Sequence, residues 1–177
     1  MSAMWRMKSG VAFPIAALLA GLAFAPMAHA VDPDPKSEQA DEASIEAGLA
    51  QLKLPPGFHI SLVTAHTPKA RELAHGAKGT IYSGSREDGT VFEVIDGDGD
   101  GRAETVNRLV EGLYAPNGVA FKDGTLYLGE INRISKIEGV EDQPHPNAVT
   151  PVMVKEGLPS DQHHGLKFIR FGPDGKL

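Results

Sequence analysis

Gly79-Thr80-Ile81-Tyr82-Ser83-Gly84 and Gly124-Thr125-Leu126-Tyr127-Leu128-Gly129 are one phrase written twice, 45 residues apart. Each copy is a short run of apolar and β-branched or small residues bounded by glycine, which reads as a strand. A second phrase, Phe121-Lys122-Asp123-Gly124-Thr125-Leu126, returns as Phe171-Gly172-Pro173-Asp174-Gly175-Lys176-Leu177 with one residue inserted. A period of ~40–50 residues built from four short strands is that of a β-propeller blade. The competing explanation is a β-sandwich whose hairpins happen to look alike. The shared inner-hairpin phrase favours the propeller, so the expected fold class is all-β.

Working outward, strands are expected at Phe58–Val63, Thr80–Gly84, Thr90–Ile95, Gly118–Phe121, Thr125–Gly129, Ile131–Ile137 and Phe168–Phe171. Lys122-Asp123-Gly124 and Pro173-Asp174-Gly175 supply the residues that hairpin turns require. Upstream, apolar positions 45, 49, 52 and 54 predict a short helix that Pro55-Pro56-Gly57 stops. Residues 31–44 are acidic and Pro-containing with no apolar period, and read as a flexible leader. Residues 45–177 are then the N-terminal part of a propeller domain, holding about two blades and the start of a third. Closure needs at least four blades, so the expectation is a piece of a longer domain that is inactive alone.

The chain has 177 residues, 41% hydrophobic and 23% charged, which suits a globular protein rather than a disordered or collagenous one. A net charge of −6 leaves no global basic field for nucleic acid or anionic lipid. Without Cys there is no disulfide, no thiolate zinc site and no lipoprotein anchor.

Residues 1–30 read as a secretory signal peptide. Arg6 and Lys8 form the positive region, Val11 to Ala28 carry no charge, and Ala28-His29-Ala30 is a small-residue cleavage site. A membrane anchor is the alternative, because the uncharged run just reaches spanning length. Pro14, Pro26 and the cleavage triplet argue for cleavage. A Cys-free exported protein fits a bacterial periplasm, with no stable membrane insertion after the signal is removed.

Innermost propeller strands begin around one mouth of a central channel, so residues at their starts converge. Those residues are Arg71, Asn117 and His164, with Arg86 and Glu130 where the inner hairpins return. His163-His164 is the sharpest feature, since a pocket imidazole is the default base for removing a hydroxyl proton. A pair of loop histidines that only cap turns is the bland alternative. Asp96, Asp98, Asp100 and Glu104 occupy positions 1, 3, 5 and 9 of a Ca²⁺-loop pattern with Gly at 6. Position 12 is Asn107, so the bidentate Glu of a full EF-hand is missing; a solvated Asp-Gly turn is the alternative to weak structural calcium. His66, His75 and His145 read as solvated loop residues.

Several segments carry a family resemblance. They are Leu54-Pro55-Pro56-Gly57-Phe58, Ala115-Pro116-Asn117-Gly118-Val119-Ala120-Phe121, Leu126 to Ile134, Gly157-Leu158-Pro159-Ser160 with His163-His164-Gly165, and Phe168 to Gly175. Together they resemble the soluble PQQ-dependent sugar dehydrogenases, in particular the L-sorbosone dehydrogenase-like branch. The resemblance implies a six-bladed propeller with PQQ over the channel mouth, held by Ca²⁺ and basic side chains. It implies oxidation of a sugar or aldehyde hydroxyl, a His that takes the hydroxyl proton while hydride passes to the quinone, and a periplasmic electron acceptor. Spacing to Gly-Leu-Pro and Gly-Pro-Asp puts that His at His164. Arg71, Arg86, Asn117, Glu130 and His163 become candidates for the cofactor pocket wall; His163 stands where glucose-oxidising relatives have an acid. Pro116 to Phe121 with Leu126-Tyr127 is also similar to gluconolactonase and strictosidine-synthase-like propellers. There the Asn would ligate a divalent metal for hydrolysis. A non-catalytic propeller used as a binding platform is the third reading.

Overall fold

The computed structural model describes residues 41–142, 145 and 148–177. The signal peptide expected at 1–30 and the leader up to residue 40 lie outside the described residues. One helix, α1 (Glu42–Leu49), precedes eight strands. The first four are β1 (Leu73–His75), β2 (Ile81–Ser83), β3 (Val91–Ile95) and β4 (Thr105–Val110). The second four are β5 (Gly118–Lys122), β6 (Thr125–Gly129), β7 (Ile134–Glu138) and β8 (Val152–Lys155). Each set forms its own antiparallel sheet in sequence order. Two up-and-down four-stranded sheets in succession, with their first strands β1 and β5 side by side, are two propeller blades.

The repeated phrase is the second strand of each blade, and both of its glycines have a use. Gly79 and Gly124 stand just before β2 and β6 with φ of 93° and 75°. Asp123 at φ 48° completes a two-residue turn with Gly124, whose twist matches the strands it joins. The closing glycines sit at the blade junctions. A Cβ on Gly84 would stand 2.5 Å from the Asn117 carbonyl oxygen and 2.6 Å from that of Pro116. Gly129, one blade later, is less crowded: its nearest neighbours are side-chain atoms, Ile169 Cγ2 at 3.2 Å and Lys167 Cβ at 3.4 Å. The close approach of blade to blade therefore requires glycine at Gly84.

One apolar cluster joins the blades. Tyr82, Val91, Leu109 and Val110 from the first pack with Val119, Leu126, Leu128, Ile137 and Val140 from the second. Tyr82 stacks on Phe121 at 6.1 Å between ring centroids. Removing such apolar area from water supplies the main driving force for docking the two sheets.

Several expectations are corrected. Residues 58–63 form no strand, because the segment gains no ladder; the Phe58 N–H bonds back to the Pro55 carbonyl, and the Ala103 N–H ties down the Val63 carbonyl at the other end. Residues 168–171 form none either: they gain no ladder, and the Glu72 carboxylate takes the Ile169 N–H instead. Strand β1 was foreseen only through Arg71 at its start, and β4 and β8 were missed. In β4 the polar pair Asn107-Arg108 interrupts the apolar pattern, and in β8 every residue is exposed. Strand β7 starts three residues later than expected, because 130–133 form the connection from β6, closed by the Glu130 N–H donating to the Arg133 carbonyl at 3.0 Å. The helix begins at Glu42 rather than Ile45 and ends at Leu49. It buries no residue, and Arg102 reaches it by hydrogen bonds to Glu46 at 2.5 and 3.1 Å. Among the described residues no helix is long and apolar enough to cross a membrane.

Candidate functional site

Antiparallel order sorts the connections between two ends. Gly84–Thr90, Glu111–Asn117, Glu130–Arg133 and the segment after Lys155 leave or enter the strands at one end. The loops 76–80, 96–104 and 123–124, and the described residues between β7 and β8, lie at the other. Arg71, Arg86, Asn117, Glu130, His163 and His164 therefore share the first end, the mouth. The acidic loop lies at the opposite end.

The three innermost segments are bound to one another there. The Arg71 N–H donates to the Gly84 carbonyl at 2.9 Å, and the Gly84 N–H returns to Glu72 at 2.9 Å. Asn117 is fully buried, and its side-chain N–H donates to the Lys167 carbonyl at 3.2 Å. The Glu72 carboxylate accepts from the Ile169 N–H at 3.3 Å. Asn117 follows a left-handed Ala115 with φ 47°, and its own N–H closes back on the Ala115 carbonyl at 2.8 Å. This tight loop leaves the Asn117 side-chain oxygen enclosed with no hydrogen-bond partner among the described residues.

His163 and His164 are exposed, with their rings 4.3 Å apart at 73°. His164 has φ 59°, a conformation that non-glycine residues seldom adopt and that histidine tolerates better than most. Gly165 continues the turn because a Cβ there would lie 1.8 Å from the Asp161 carbonyl oxygen. Lys167 caps it, its ammonium 2.6 Å from the Gly165 carbonyl. A tightly turned backbone thus presents an exposed imidazole just before the third inner segment.

Glu130 does not offer a vacant carboxylate. It is fully buried and accepts two bonds from Arg133, at 2.5 and 2.7 Å, and one from the Tyr114 N–H at 2.7 Å. The carboxylate holds Arg133 at a raised pKa, chiefly through these hydrogen bonds. Its work is to brace the loop that carries Asn117. Arg86 pairs with Glu87 at 3.0 Å and stays about half exposed, while Arg71 is exposed.

Asp96, Asp98, Asp100 and Glu104 converge, with one oxygen from each lying within 4.8 Å of the others. Backbone N–H groups already use several of these oxygens: Gly97 donates to Glu104 at 2.6 Å, and Gly99 and Gly101 donate to Asp96 at 2.8 and 2.9 Å. The donor set is hard oxygen, suited to Ca²⁺. At the far end of the strands it does not join the mouth residues.

One histidine expected in solvent is enclosed. His145 retains 10% side-chain exposure and lies 3.2 Å from the carboxylate of Glu93, itself 5% exposed. Asn107 donates to the other Glu93 oxygen at 2.9 Å. The contact runs from the β7–β8 connection of one blade to β3 of the other, and a buried carboxylate needs such partners. A charged residue inside the apolar run Val91-Phe92-Glu93-Val94-Ile95 was the sequence signal for it. His75 lies on β1 rather than in a loop, though exposed, and His66 pairs with Glu42 at 3.4 Å. Arg133 and Glu72 also escaped sequence reasoning. The (i, i+3) spacing of Glu130 and Arg133 could have exposed the first.

No family model and no curated protein matches the chain. Among solved structures, it is similar to the PQQ-bound form of an aldose sugar dehydrogenase from Streptomyces coelicolor, at 24% identity and a TM-score of 0.48, over 60% of this chain and 36% of that one.

Proposed function

We propose that the chain is part of an exported, PQQ-dependent dehydrogenase that oxidises a sugar or aldehyde hydroxyl, with His164 as the general base. The observation that carries this reading is the exposed His164, held at φ 59° just before the third inner segment and at the same strand ends as Arg71 and Arg86. An imidazole so presented is placed to take a hydroxyl proton. The donor set suits an anionic, carboxylated quinone: Arg71, Arg86 and His163 would hold it by charge and N–H donation. When bound, that quinone supplies the two-electron acceptor the side chains lack. Asn117 and the buried Glu130–Arg133 pair keep the mouth loops in register. Calcium at Asp96, Asp98, Asp100 and Glu104 would act on stability, because that loop is at the other end of the strands.

The test is dye reduction by the complete apo-protein given PQQ, with and without Ca²⁺, on glucose, sorbosone and simple aldehydes. Activity that requires PQQ and falls by roughly 10²-fold or more in His164→Ala is expected. Failure to bind PQQ would remove the reading. Metal-assisted hydrolysis is second, favoured by the enclosed, unpartnered side-chain oxygen of Asn117, a spare metal ligand. Lactone hydrolysis on adding a divalent cation would establish it.

A further inference from the structure

A cleft of about 310 Å³ lies between the blades, away from His164 and lined by no residue of the 157–167 segment. One wall comes from the end of β4 and the loop after it, the other from β7 and the approach to β8. Arg133 enters it, its guanidinium gripped from behind by Glu130 through Nε and one Nη, with the side chain 36% exposed. Among the described residues no hydrogen bond engages its other Nη. Ser135, 3% exposed, lines the same cleft, and its hydroxyl is enclosed with no partner among the described residues. Buried polar groups are normally satisfied, so an orphan hydroxyl beside a pre-positioned guanidinium marks a place where a ligand completes the bonding.

We propose that this cleft binds a neutral polyhydroxylated ligand of monosaccharide size. The charges decide the class. Arg133 is balanced by Glu130, and the rim carboxylate of Glu111 is balanced by Arg108 at 2.5 Å, so the cleft favours neither anion nor cation. What remains is hydrogen-bonding capacity without net field: guanidinium N–H donors and the Ser135 hydroxyl, with Thr150 also in the lining. Leu113, Val149 and Pro151 supply an apolar wall for the C–H face of a ring. The volume is at the small end of ligand sites, enough for one sugar unit. This inference goes beyond the redox reading and needs no cofactor.

The complete apo-protein, labelled with ¹⁵N, would be titrated with D-glucose and D-mannitol, and separately with acetate and inorganic phosphate, without PQQ or Ca²⁺. Saturable shifts at Arg133 and Ser135 with the polyols only are expected. Ser135→Ala and Arg133→Lys should each weaken binding about five- to tenfold, the value of one lost hydrogen bond. Ser135→Ala strands no partner, since its hydroxyl bonds to none, so the variant keeps its fold; far-UV circular dichroism checks this. The proposal is overturned if no polyol gives saturable shifts, if the anions bind instead, or if both variants bind like the wild type. Dye reduction tests the redox reading separately, so the two fail independently.

Discussion

Replacing each closing glycine of the repeat with alanine tests the blade packing directly. Neither Gly84 nor Gly129 has positive φ, so alanine fits both backbones. What differs is the space. At Gly84 the new methyl would stand 2.5 and 2.6 Å from two carbonyl oxygens of the main chain, against roughly 3.4 Å for ordinary contact. The backbone of the next blade would have to shift, an overpacking that costs about 1–3 kcal/mol. At Gly129 the nearest atoms are Ile169 Cγ2 at 3.2 Å and Lys167 Cβ at 3.4 Å, side chains that can give. That mild crowding is set against about 0.4–1 kcal/mol gained from a less flexible unfolded chain. Gly84→Ala should therefore lower Tm by roughly 4–12 °C, taking about 4 °C per kcal/mol, and Gly129→Ala should leave it within a few degrees. Urea melts with unchanged m values would confirm that stability moved, not compactness. Equal stability of the two variants, or a larger loss at Gly129, would refute the argument that blade contact dictates glycine at this position.

Two more predictions follow from the buried groups. His145→Ala takes one hydrogen-bond partner from the enclosed Glu93 carboxylate, leaving it Asn107, and should cost about 1–3 kcal/mol in urea unfolding, whereas adding Glu93→Gln to it should recover part of that loss. Burial first, then the Glu93 and Glu141 charges, push the Tyr82 hydroxyl well above the usual tyrosine range. Its contribution to stability is intact below the unfolded value of 10.0 and is lost as pH rises above it, because only the unfolded chain then sheds the proton readily. Absorbance at 295 nm should accordingly show one tyrosine ionising well above the usual range, a step that Tyr82→Phe removes, and the same substitution should flatten the alkaline loss of stability.

The all-β class, the blade repeat and the Asp123-Gly124 turn were legible because they are local. A strand pattern, a positive-φ turn and a period of 45 residues are written in neighbouring positions of one chain. The convergence of Asp96, Asp98, Asp100 and Glu104 was also legible, since one loop holds all four. Chain order alone could not tell which charged groups are committed to one another. Glu130 looked like a pocket carboxylate until folding brought the Tyr114 N–H to it and closed Arg133 on it, and His145 looked solvated until the blades met over Glu93. Strands β4 and β8 escaped for the same reason: a polar or exposed strand is defined by its ladder partner, not its own pattern. Periodicity depends on adjacent residues and survives in the sequence. Burial and pairing depend on what distant segments bring within 3 Å, and only the packed tertiary structure decides that.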